Sequence, residues 1–191
     1  MMRALARTSL ARTWRFLPRP LARLCRDRRG VSAVEFAMVA PLMIALYLGC
    51  AEISDGVAID RKVSLTAAAL ANLSSQATTI TTADMTNILD AATAIVSPYS
   101  GSPLKMSVSC VSFDASKNMT VKWTALRNTT APTITVPDTL KVANSQLIYA
   151  EVSYAYTPTV GYTITGSLTL SDHMFMAPRI TAPIYNSTAC T

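Results

Sequence analysis

Histidine is almost missing from this chain. His173 is the only one in 191 residues, so neither an HExxH zinc helix nor any other multi-histidine metal set can be built. The four cysteines, Cys25, Cys50, Cys110 and Cys190, lie too far apart for paired metal-ligand spacing. Ser171, Asp172 and His173 are the residue types of a hydrolytic triad, but as neighbours in a strand they point to opposite faces and cannot form a relay. His173 therefore reads as a surface residue. Asp114-Ala-Ser116-Lys-Asn118 lacks the last serine of a D-x-S-x-S metal loop and reads as a hairpin turn. No catalytic residue, metal, cofactor or small-molecule substrate is expected, and the chain does not read as an enzyme.

Charge is also scarce, and it is unevenly placed. Residues 1–30 hold nine arginines and one aspartate, a net +8, whereas residues 31–191 hold eight basic and ten acidic residues, a net −2. The overall +6 and a pI near 9.4 therefore describe the first thirty residues and not the remainder. No basic patch with interleaved aromatics remains beyond them, which disfavours nucleic acid as a partner. Arginine-rich flanks stay in the cytoplasm, so the N-terminus is expected inside and everything past Ala51 outside. Arg61 and Lys62 are accompanied by Glu52, Asp55 and Asp60 and do not compete with nine arginines. The same leader composition fits a mitochondrial transit peptide, but that reading leaves Gly30 and Glu35 unexplained.

What the chain does have is a long apolar run. From Val31 to Ala51 the only charge is Glu35, and a helix of that length reaches about 31 Å, close to one hydrocarbon core. Arg28, Arg29 and Gly30 stand directly before it. A carboxylate inside a spanning segment is costly and usually has a task; the plainer alternative is that Glu35 snorkels to the cytoplasmic edge. Pro41 removes one backbone hydrogen bond and is expected to kink the helix without breaking it.

The stretch RRG-VSAVEF followed by an apolar run resembles the class III signal of type IVb pilins and pseudopilins. Pro41, Glu52 and the MAPR…C ending extend the likeness to the TadE/TadG-like minor pseudopilins of the tight-adherence (Flp) pilus system. The resemblance implies cutting by a prepilin peptidase between Gly30 and Val31, with Glu35 and Phe36 acting in recognition and assembly. It also implies an inner-membrane protein with a periplasmic domain, acting in pilus assembly, secretion and surface adhesion. Its partners would be the peptidase, other pilins and pseudopilins, and the inner-membrane Tad assembly platform. Two other readings stay open: an uncleaved single-span periplasmic scaffold or binding protein, and a lipoprotein anchored at Cys50, since Leu48-Gly49-Cys50 resembles the end of a lipobox.

Cys25 would leave with the leader, and Cys50 sits at the outer membrane edge. Cys110 and Cys190 fall in the exported part, where thiols oxidise, so a Cys110–Cys190 disulfide is expected over two separate buried thiols. Asn72, Asn118, Asn128 and Asn186 each open an N-x-S/T triplet, a pattern that chance supplies in a chain this rich in Ser and Thr.

Four segments are expected: a basic leader 1–30, a span 31–51, an amphipathic extension 52–75 and an α+β domain 76–191. The first helix should run from Ser32 to Leu73, with Ile53, Val57, Leu65, Ala69 and Leu73 as its apolar face. A second helix, capped at Thr82 with Asp84 in its first turn, should carry Met85, Ile88, Leu89, Ala92, Ile95 and Val96 to the break at Pro98. Alternation then marks a hairpin, Leu104 to Cys110 and Met119 to Ala125, around the turn at 114–118. Residues Arg127 to Thr139 form a long Thr/Pro-rich connection of the kind that is functional or mobile. Gln146 to Thr157 is the strongest strand, followed by short runs at Ser167 to Leu170 and His173 to Met176. The expected fold is an antiparallel sheet of about four strands packed on the helices.

Overall fold

The computed structural model describes residues 29–158 and 166–191. The leader through Arg28, with Cys25, lies outside the described residues. Helix α1 spans Arg29–Gln76, three residues longer at each end than the apolar pattern indicates. The chain divides into two compact units after Tyr47.

The first unit contributes the opening part of α1. Its large apolar side chains all lie open: Val34 is 61% exposed, Phe36 73%, Met38 77% and Leu42 61%. Pro41 sits inside the helix without ending it. This helix is long and apolar enough to cross a membrane once.

In the second unit the remainder of α1 buries Ile59, Val63, Thr66, Ala67, Leu70, Ala71 and Ser74. Their steps of one, three and four residues keep them on one side of a 3.6-residue helix. The face expected from the sequence is not this one. Ile53 is 70% exposed, Val57 48% and Leu65 61%. Steps of four alone rotate by about 40° each, so a row from position 53 to 73 drifts roughly half a turn and cannot be a face. The true face was hidden by its small and hydroxylic members. Thr66 satisfies its hydroxyl internally, donating to Lys62 O at 2.7 Å.

Helix α2 spans Thr82–Ile95. Its cap is Thr81, one residue before the expected Thr82. The Thr81 hydroxyl accepts from Asp84 N and the Asp84 carboxylate accepts from Thr81 N, a reciprocal capping box. Met85, Leu89 and Ala92 face the core. Lys62 of α1 donates to Ile95 O at 3.1 Å and Ser97 O at 2.6 Å, placing a cation where the carbonyls of α2 end.

The main sheet is antiparallel in the order β3-β2-β4-β5, with β2 Leu104–Phe113, β3 Met119–Arg127, β4 Gln146–Tyr156 and β5 Leu168–Met176. The architecture is α+β. β5 is one continuous strand where the sequence pattern indicated two short runs, because Ser171 and Asp172 pair with Ser153 and Val152 and carry the ladder through. The register shifts between Cys110 and Val111 opposite β3, leaving Lys122 as the extra residue. One face carries Leu104, Met106, Val108, Cys110, Ile148, Ala150, Val152 and Trp123 into the core with both helices. Tyr156 Oη donates to Glu52 O, and Ser75 Oγ donates to Met176 Sδ at 3.2 Å, tying α1 to β4 and β5.

The Thr/Pro-rich connection is built into the fold. Ile134 and Val136 pack on the opposite sheet face against Val111, Phe113, Leu147, Tyr149 and Phe175, forming a second, smaller core. Asn128 Nδ2 donates to Leu104 O at one end of the connection, and Asn144 N to Asp114 O at the other.

The C-terminal residues form a strap. Arg179 N donates to Ser75 O, and β6 (Ile184–Tyr185) pairs in parallel with β1 (Thr79–Ile80). Trp123 Nε1 donates to Pro183 O at 3.2 Å, and its ring lies 5.3 Å from that of Tyr185. Neither short strand shows in the sequence pattern, since two residues are too few for periodicity.

Candidate functional site

Two sets of residues singled out by the sequence are described, one in each unit. Gly30, Val31, Glu35 and Phe36 all fall in the first two turns of α1. Gly30 has open space around it: nothing lies within 4 Å of where a Cβ would be. Val31 is 53% and Phe36 73% exposed, and Glu35 is exposed as well. The four-residue offset between Val31 and Glu35 puts the backbone nitrogen of one and the carboxylate of the other on the same side of the helix. This is a short exposed surface that carries a carboxylate and an unpacked aromatic ring.

The second set is covalent. Cys110 and Cys190 form a disulfide with their Cα atoms 5.9 Å apart and 80 residues between them. Both cysteines are fully buried. The bond fixes the end of the C-terminal strap to the middle of β2. Cys50, by contrast, is a free and exposed thiol. It lies within α1, and its carbonyl accepts from Ser54 Oγ at 2.8 Å.

Among the described residues no group of three or more His, Cys, Asp or Glu is placed to hold a metal ion. Asp114 works on its own turn: its carboxylate accepts from Ser116 N, Asn118 N and Asn118 Nδ2 at 2.8–2.9 Å. The Asn118 contacts hold its pKa below the ordinary carboxylate value. His173 is exposed on β5, and its own backbone N–H donates to Asp172 Oδ1 at 2.7 Å. Sequence reasoning missed Arg127, which pairs with Asp90 at 2.7 Å and ties β3 to α2. The only sequence signal was a basic residue closing a strand of apolar alternation.

The family model described as TadE-like protein matches residues 30–71. The match begins at Gly30, takes in Glu35, Pro41 and Glu52, and lies wholly within α1. Over that stretch the chain is similar to the TadE-like family. No curated protein and no solved structure matches the chain.

Proposed function

We propose that the chain is a minor pseudopilin of a Tad-type pilus, trimmed by a prepilin peptidase between Gly30 and Val31. The observation that carries this reading is the start of the TadE-like match at Gly30, directly before the apolar run and five residues ahead of its one carboxylate. In this reading the chain lies in the inner membrane with its leader in the cytoplasm and its α+β domain in the periplasm. The arginine asymmetry supports that orientation. Its role is in assembly and surface adhesion, without catalysis, alongside other pilins and the inner-membrane platform.

Glu35 is given a task by the cut. Cleavage leaves an α-amine on Val31 that is mostly cationic near neutral pH. One helical turn separates it from the Glu35 carboxylate, so the two can pair within one chain or between neighbours. A carboxylate withdrawn from water needs such a partner. Gly30→Leu should leave the full-length chain in the membrane. Glu35→Gln should still insert and still be trimmed, yet fail to co-purify with the pilus components that wild type retains. Normal trimming of the glycine variant, or unchanged co-purification and piliation of the glutamine variant, would contradict the respective role.

A further inference from the structure

The sheet face turned away from α1 and α2 is only partly covered. Ile134 and Val136 close it over Val111, Phe113 and Leu147, but toward the Leu104 end of β2 a cleft of about 220 Å³ remains. Lys105 and Ser107 of β2 and Glu151 and Ser153 of β4 line its floor, and the segment Thr129 to Pro132 forms its wall. The register explains the floor. Lys105 pairs with Ser153 and Ser107 with Glu151, and alternation turns all four side chains to the same face.

The groups in this cleft are not used up by the fold. Glu151 accepts from Tyr149 Oη at 2.8 Å through one carboxylate oxygen, leaving the other without a hydrogen-bond partner among the described residues. Lys105 makes no ion pair or side-chain hydrogen bond among them. Tyr149 is held as a donor: burial, and then the Glu151 carboxylate, push its hydroxyl pKa above the ordinary tyrosine value. That bond orients Glu151. His173 stands directly opposite Glu151 on β5 and extends the polar rim.

We infer that this cleft binds a saccharide, one sugar residue of a neutral glycan. The charges of the floor cancel, which disfavours a simple anion or cation. An oriented carboxylate and a lysine can accept from and donate to ring hydroxyls in charge-assisted bonds. Serine and threonine hydroxyls do both. Ala131 and Pro132 give one apolar flank for the sugar's C–H edge. The wall and floor offer no apolar pocket that would select a peptide side chain. The cleft belongs to the exported domain and does not depend on how the N-terminus is processed.

The test is saturation-transfer difference NMR on the full chain in nanodiscs free of sugar-headed detergent. The probes are glucose, galactose, N-acetylglucosamine and N-acetylgalactosamine, with glycine as the zwitterionic competitor. Saturation should reach the ring protons of at least one sugar. Glu151→Gln, which keeps an acceptor for Tyr149, and Lys105→Met should each weaken that binding about tenfold, while Lys122→Met on β3 leaves it unchanged. Thermal unfolding of each variant checks that the domain is intact. Absence of transfer to every sugar, equal affinity in the Glu151→Gln variant, or displacement of the sugar signal by glycine would overturn the assignment.

Discussion

Helix α1 carries two stretches with opposite fates. Between Val31 and Tyr47 the large side chains are open, with Met38 and Tyr47 more than 70% exposed. Between Ile59 and Ala71 the inward positions are at most 1% exposed. The difference lies in side-chain size and polarity around the helix. The first stretch is bulky and apolar on every side, which suits a surrounding that is itself apolar. The second uses Ala67, Ala71, Thr66 and Ser74 on its buried side, residues small enough to bring the helix close to the sheet, and leaves Arg61 and Asp60 exposed on other sides. Apolar content and its distribution around the axis both separate the open stretch from the packed one.

The comparison can be broken hardest through the disulfide. Closing a loop of 80 residues contributes about 4–5 kcal/mol on the chain-entropy model, with delivered values often lower. Cys110→Ser with Cys190→Ser should therefore sharply lower the denaturant midpoint of the domain followed by Trp123 fluorescence. Next comes Leu70→Ala, which empties a fully buried site and should cost about 2–5 kcal/mol. Phe36→Ala, in the open stretch, should change the same midpoint by less than about 0.5 kcal/mol. Equal effects of the two truncations would erase the distinction between the stretches.

Two smaller effects sharpen it. Trp123→Phe removes the donor to Pro183 O and should destabilise by about 1–2 kcal/mol, seen as faster amide exchange in the C-terminal strap. Thr81→Ala removes the cap of α2 and should lower the melting midpoint by a few degrees. The same cap makes a pH signature. Hydrogen bonds from the Thr81 side chain and backbone hold the Asp84 pKa below its ordinary value. The stability it adds is therefore present above the unfolded carboxylate pKa of about 3.9 and is lost as pH falls through the lower folded value. The wild type should lose more than the Thr81→Ala variant on acidification below about pH 4.

The sheet was largely legible in the sequence. Leu104, Met106, Val108 and Cys110 alternate with polar neighbours, Ile148, Ala150, Val152 and Tyr154 recur at the same period of two, and each set turns out to be the core side. Burial on one face writes itself into every second residue. The inward side of α1 was not legible, because Thr66, Ala67 and Ser74 carry little apolar weight while exposed Leu65 carries much. The second core was missed for a different reason. Ile134 and Val136 lie in an irregular segment, where no period marks which residue turns inward. The cleft proposed to bind a saccharide is a product of register, since Lys105 and Glu151 are 46 positions apart in sequence and come to line one cleft only through the pairing of β2 with β4. Gly30, Val31, Glu35 and Phe36 fall within one seven-residue stretch, so the proposal made for them needs no tertiary contact.

The central claim is that the functional N-terminus is Val31. Intact-mass measurement of the chain extracted from its native membrane, with N-terminal sequencing, tests it directly. The account predicts a species that begins at Val31 and retains the Cys110–Cys190 cross-link. A chain that still begins at Met1 or Met2, or one that begins at a lipid-modified Cys50, would contradict it.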